Sequence, residues 1–76
     1  MSKTLQILRD IRPEFDFTAS EDFISDGMLD SFDVVTLVAG LDKTYGISIK
    51  GTDILPENFK NLGAIATLLR SYGVQP

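Results

Sequence analysis

The chain has 76 residues, of which 43% are apolar and 24% charged, and its 11 acidic and 7 basic side chains give a net charge of −4. It contains no cysteine and no histidine, which excludes disulfides, thiolate chemistry and an imidazole base, and leaves a metal ion only oxygen ligands. The negative charge disfavours nucleic acid and anionic lipid as partners, and no apolar run is long enough to insert into a membrane. We therefore expect one globular domain over residues 1–76, monomeric and cytoplasmic.

The segment from Ser2 to Arg12 carries its core-type side chains at helical spacing. This pattern predicts an amphipathic helix that ends before Pro13. Its inner face consists of Thr4, Ile7, Leu8 and Ile11. From Pro13 to Asp30 no period is visible, yet large apolar residues recur, namely Phe15, Phe17, Phe23, Ile24, Met28 and Leu29. Because compact domains rarely leave so many large apolar residues in a loose connection, the segment is predicted to be a long ordered loop folded over the core.

A second helix is predicted from Ser31 to Tyr45, with Gly46 as its stop. Apolar residues at helical spacing form its core stripe, which consists of Val34, Leu37, Val38, Leu41 and Tyr45. Gly40 interrupts this helix, either as a tolerated glycine or as a point where a partner backbone approaches closely.

The opposite side of this helix carries a second, narrower apolar strip that begins next to Ser31. It consists of Phe32, Val35 and Ala39, which are predicted to face solvent. The strip is flanked by three carboxylates, those of Asp30, Asp33 and Asp42. An exposed apolar strip with an acidic margin suits docking to partners that present basic residues around an apolar pocket.

The last third of the chain predicts an extended connector, a short helix and a final helix. Ile47 and Ile49 alternate with polar residues, but one short strand cannot form a sheet. Thr52 or Asp53 could cap a turn or two of helix before Pro56. Asn61 caps the final helix, whose inner face is Leu62, Ile65, Leu68, Leu69 and Tyr72 and whose stop is Gly73. The prediction is an all-α bundle of three main helices and one short helix, with a core that includes Phe15, Leu37, Leu41, Phe59, Ile65 and Leu69.

The stretch D-G-M-L-D-S-F-D places Ser31 between two aspartates. Without any histidine to accept its proton, Ser31 is not expected to be a catalytic nucleophile. It either caps the second helix or receives a group from another enzyme. Ser and Asp are favoured at N-caps and Asp33 complements the helix dipole, so spacing alone favours the cap.

A longer pattern favours the second possibility. The stretch L-D-S-F-D-V-V-T-L-V-A-G-L-D-K-T-Y-G-I-S-I, followed by D-I-L-P-E-N-F and a last amphipathic helix, resembles acyl carrier proteins from about Phe23 to Tyr72. The resemblance implies that a phosphopantetheinyl transferase, using magnesium, attaches 4′-phosphopantetheine from coenzyme A to Ser31. It implies a non-catalytic carrier that holds acyl or aminoacyl groups as thioesters. A loading ligase and downstream transferases or synthases would then be its partners.

The chain also departs from that family in ways that bear on the pathway. Phe32 stands where leucine or methionine is common, and Thr36, Lys43 and Thr44 occupy the exposed side of a helix that is rich in Glu in fatty-acid carriers. The acidic docking surface is therefore thinner. This favours a dedicated carrier for a secondary-metabolite, cell-envelope or aminoacyl pathway.

Two alternatives stay open. The first is a carrier-like interaction module without a prosthetic group. The second is a calcium loop whose positions one, five, six, nine and twelve would be Asp22, Asp26, Gly27, Asp30 and Asp33. Ile24, at the third position of such a loop, offers no oxygen ligand and counts against it.

Overall fold

A computed structural model describes residues 2–76. They form three α-helices, α1 (Ser2–Ile11), α2 (Ser31–Tyr45) and α3 (Leu62–Ser71). Between α2 and α3 lie two short 3-10 turns, Gly51–Asp53 and Pro56–Asn58. No strand occurs in this part of the chain, so the predicted all-α bundle is confirmed.

The single short helix predicted before α3 is wrong in detail, because two separate 3-10 turns take its place. Neither Thr52 nor Asp53 is a cap, since the turns follow Lys50 and Leu55 directly and have no side-chain cap. Pro56 does not interrupt a helix but begins the second turn, where its fixed φ is suitable and its missing N–H costs nothing.

The core lies between the three helices and the loop that joins α1 to α2. Five of the six predicted core residues are fully buried, namely Leu37, Leu41, Phe59, Ile65 and Leu69. The sixth, Phe15, is only half-buried, which corrects the prediction. Phe17 and Phe23 lie inside instead, with their rings edge to face and their centroids 5.0 Å apart, and Phe15 packs on Phe17 from outside.

The connection between α1 and α2 is ordered, as predicted. Besides its buried phenylalanines it is anchored by Asp22, whose carboxylate accepts hydrogen bonds from the backbone N–H and hydroxyl of Ser25. The Ser25 N–H makes the largest contribution to holding the pKa of Asp22 below its usual range. The side chain of Asn61, the cap of α3, donates to the Glu21 carbonyl at 3.0 Å. The loop is therefore fixed both to itself and to the start of α3.

Helices α1 and α2 approach each other closely at Gly40. A Cβ atom at this position would lie 2.9 Å from Cγ2 of Ile7, a separation that real Cβ atoms essentially never show. Neither predicted explanation of Gly40 is therefore right. The glycine is not neutral, and its free side meets α1 rather than a partner, so it makes room for a neighbouring helix.

The segment between α2 and the first 3-10 turn, which was predicted to be an extended connector, forms neither a helix nor a strand, and side chains hold it in place. Ile49 is buried, and its N–H donates to a carboxylate oxygen of Asp42 at 3.0 Å. The Tyr72 hydroxyl donates to Oδ2 of Asp53 at 2.6 Å and accepts from the Lys50 N–H at 2.9 Å. The bond to Asp53 is the main reason that the pKa of Tyr72 is raised. The first 3-10 turn is thereby tied to the end of α3.

Candidate functional site

The N-terminus of α2 is closed by a capping box that leaves Ser31 out. Asp30 is the N-cap, and its Oδ1 accepts from the Asp33 N–H at 2.8 Å, while Oδ2 of Asp33 accepts from the Asp30 N–H at 3.3 Å. Ser31 is the first residue of the helix rather than its cap. The interpretation of Ser31 as a capping residue is therefore wrong, and the carboxylates on either side of it do that work.

Ser31 is exposed at a helix end that still has backbone donors to offer. The first turn of a helix has N–H groups without intrahelical partners. Here the Asp33 N–H is bonded to the Asp30 side chain and the Val34 N–H to the Asp30 carbonyl. This leaves the N–H groups of Ser31 and Phe32 at the positive end of the helix dipole, so a primary hydroxyl and two donors meet at one place. The donor set fits a phosphate ester on Ser31.

Arg12, which sequence reasoning passed over, lies beside this capping box. Its Nε and Nη2 atoms are 2.9 and 2.8 Å from Oδ2 of Asp33, and Nη2 is 3.7 Å from Oδ2 of Asp30. The hydrogen bond with Asp33 is the main reason that the pKa of Arg12 is raised. One sequence signal could have found it, because Arg12 is the only basic residue between Asp10 and Asp42.

The structure divides the predicted docking residues into two groups. The apolar strip is exposed as predicted, with 78% of Phe32 and 61% of Val35 open to solvent and Ala39 also exposed. Asp30 lies at its margin with 63% of its side chain exposed. Asp33, in contrast, is buried with only 8% exposed and is paired with Arg12, which removes it from the predicted surface.

Asp42 is intermediate between these two groups in its exposure to solvent. It is half-buried, and its Oδ1 is engaged by the N–H of Ile49. Oδ1 of Asp42 therefore holds the connector in place, and only its Oδ2 is available to a partner.

Ser31 is one of the residues that line an apolar groove of about 240 Å³. Its walls come from the loop, from α2 and from the segment that contains the 3-10 turns. The lining residues are Ile24, Ser31, Val34, Val35, Ile54 and Pro56. An apolar group attached through Ser31 could therefore lie against the protein instead of in water.

The carboxylates of the calcium alternative do not converge. Asp22 binds the turn at Ser25, Asp26 accepts from the Ser20 hydroxyl, and Asp33 pairs with Arg12. Among residues 2–76 no group of three acidic side chains is placed to hold a metal ion. The calcium loop thus lacks a structural basis.

Within residues 2–76 no helix combines the length and the apolar character needed to cross a bilayer. A search of curated proteins found no match, and neither did a search of solved structures. A family model described as "phosphopantetheine attachment site" matches residues 3–69, from the first turn of α1 into α3. Members of this family carry 4′-phosphopantetheine covalently on a serine and are typically non-catalytic carriers. Because the match covers most of the chain, the protein belongs to the phosphopantetheine-attachment family of acyl-carrier type.

Proposed function

We propose that Ser31 carries the 4′-phosphopantetheine arm and that the protein presents acyl or aminoacyl thioesters to partner enzymes. The observation that carries this proposal is the position of Ser31 among the serines of the matched region. Ser20 and Ser25 donate their hydroxyls to loop carboxylates, and Ser48 lies in the extended connector. Ser31 alone among them is exposed at the N-terminus of an α-helix whose first donors are available.

In this proposal the chain supplies the nucleophile and a transferase supplies the rest. The Ser31 oxygen forms a bond to the phosphorus of coenzyme A that bears pantetheine, and the pyrophosphate bond breaks to release adenosine 3′,5′-bisphosphate. The hydroxyl proton goes to a base of the transferase, since Asp30 and Asp33 are held in the capping box. The arm supplies a thiol on which cargo is held as a thioester. The free N–H groups and the dipole of α2 favour the charge of the new phosphodiester.

The partner surface is proposed to be the exposed strip formed by Phe32, Val35 and Ala39, with Asp30 at its margin. Its exposure next to Ser31 would let a transferase or loading ligase contact the strip while it works on the serine. An apolar strip with few carboxylates fits partners that bind by apolar contact more than by charge.

The proposed pathway is a dedicated one, in secondary metabolism, the cell envelope or aminoacyl transfer. Its support is the exposed side of α2, where Thr36, Lys43 and Thr44 are open to solvent. These residues leave that side with little negative charge along its length. A partner set that relies on an extended acidic helix would therefore find few contacts here.

The experiment that tests the site is intact-mass measurement after incubation with coenzyme A and a broad-specificity transferase. We expect the wild type and a Ser25→Ala control to gain one phosphopantetheine group, and Ser31→Ala to gain none. Ser31→Ala should keep its helical circular dichroism spectrum, because Asp30 rather than Ser31 caps α2. A mass gain in Ser31→Ala would show that the site is wrong. No gain in the wild type would favour the interaction module without a prosthetic group.

A further inference from the structure

Modification at Ser31 would add a negative charge to a strongly acidic part of the chain. Carboxylates stand immediately before Ser31, at Asp30, and two residues after it, at Asp33. From Pro13 to Asp42 the sequence contains no lysine or arginine. The positive end of the α2 dipole offsets part of an added charge, but a helix end is worth only a fraction of one elementary charge.

Arg12 brings a full positive charge to the same place. Both of its contacts to Asp33 go to Oδ2, and its Nη2 also reaches Oδ2 of Asp30, the residue before Ser31. About a third of its side chain is open, at 37%, so its field is not confined to the buried Asp33. Glu14, 3.6 Å from Nη1, is its remaining acidic neighbour.

We propose that Arg12 is the counter-charge for the phosphodiester, and that the Arg12–Asp33 pair couples attachment of the arm to the stability of the junction between α1 and α2. This inference rests on the proposed function of Ser31. With Arg12 present, the pair is close to neutral and the new charge meets mainly Asp30. Without Arg12, the new charge meets the carboxylates of Asp30 and Asp33 together, and attachment weakens the fold.

The test compares urea unfolding of the apo and holo forms of the wild type, Arg12→Gln, Asp33→Asn and the double variant. For each protein the measured quantity is the ratio of the holo to the apo unfolding constant. This ratio cancels any damage that a substitution does to both forms equally. Arg9→Gln is the matched control, because Arg9 is an exposed arginine in the last turn of α1 without an ion pair to the capping box. Intact mass verifies that each holo form carries one arm.

We expect Arg12→Gln to raise the ratio by about three- to fivefold at low salt, the range of a partly exposed charge pair. Asp33→Asn should lower the ratio, because Arg12 is then released to the phosphodiester. The double variant should return to the wild-type ratio, as should Arg9→Gln. All differences should shrink at high salt, since the charges are partly exposed.

Equal destabilisation of both forms by Arg12→Gln would overturn the inference and make Arg12 a structural residue only. If Arg12→Gln does not fold, Asp33→Asn tests the inference by itself. An unchanged or raised ratio of the unfolding constants in that variant would also contradict the inference. A failure of the proposed function gives a different result, since the wild type would then gain no arm and have no holo form to compare.

Discussion

Gly40 allows a sharp test of how α1 and α2 pack. Replacing it with alanine places a methyl group 2.9 Å from Cγ2 of Ile7. Ile7 is β-branched and sits within α1, so this methyl has little freedom to move aside. The contact therefore has to be relieved by a shift of one helix against the other.

Two opposing effects determine the magnitude. Alanine is better than glycine in a helix interior by about 1 kcal/mol. Overpacking of a filled interface costs about 1–3 kcal/mol. We therefore expect Gly40→Ala to destabilise the protein by up to about 2 kcal/mol, which in a domain of this size lowers the melting temperature by about 4–8 °C for each kcal/mol. In an Ile7→Ala background, where Cγ2 is absent, the same change should stabilise by up to about 1 kcal/mol.

The effect of Gly40→Ala on the free energy of unfolding should therefore change sign between the two backgrounds. Urea unfolding followed by circular dichroism measures it in Gly40→Ala, Ile7→Ala and the double variant. Gly63→Ala is the control, because Gly63 lies in α3 and a Cβ there would be at an ordinary distance of 3.5 Å from the Asn61 side chain. It should be neutral or slightly stabilising. If Gly40→Ala stabilises the protein equally in both backgrounds, the close approach of Ile7 does not exist and the packing argument fails.

Three further predictions concern the core, the exposed strip and the end of α3. Leu41→Ala should cost about 2–5 kcal/mol in urea unfolding because Leu41 is fully buried, whereas Leu55→Ala, at a leucine 42% exposed, should cost far less. Val35→Lys should keep its free energy of unfolding within about 0.5 kcal/mol of the wild type. It should nevertheless be modified more slowly by its transferase at any salt concentration. If Val35→Lys unfolds instead, this face of α2 is buried. Tyr72→Phe should lower the melting temperature at neutral pH. Because the pKa of Tyr72 is raised in the folded state, the advantage of the wild type is complete below the ordinary tyrosine pKa of about 10 and is lost as pH rises through the raised value. If the difference in melting temperature between the wild type and Tyr72→Phe stays constant up to pH 11, the hydrogen bond between Tyr72 and Asp53 is refuted.

The helices could be predicted, and Ser31 could be proposed as the attachment serine, because the signals for them are local. Apolar spacing along α2 predicted its buried face, and Asn61 and Gly46 marked helix ends that the structure confirms. The wider sequence pattern placed Ser31 in a carrier motif, and the family match supports a phosphopantetheine carrier.

The missed features depend on contacts between distant parts of the chain. Arg12 contacts Asp33 across 21 residues of sequence. No local pattern could therefore show that the Asp33 carboxylate belongs to a buried ion pair. The close contact of Gly40 is equally non-local, because it depends on Ile7 in another helix. Phe15 and Phe17 could not be ranked for burial, because a loop without a regular repeat has no fixed inner face.

The way in which the loop is built into the core has a consequence for proteolysis. Trypsin has no site between Pro13 and Asp42, because that stretch contains neither lysine nor arginine. A protease that selects aromatic residues would meet three phenylalanines in the loop, of which Phe17 and Phe23 are buried in the native state and Phe15 is half-buried. Cutting the loop at either buried residue requires it to leave the core first. For a segment of this length outside any helix that is unusual, because cleavage at Phe17 or Phe23 follows the opening of the fold instead of the motion of a flexible connection.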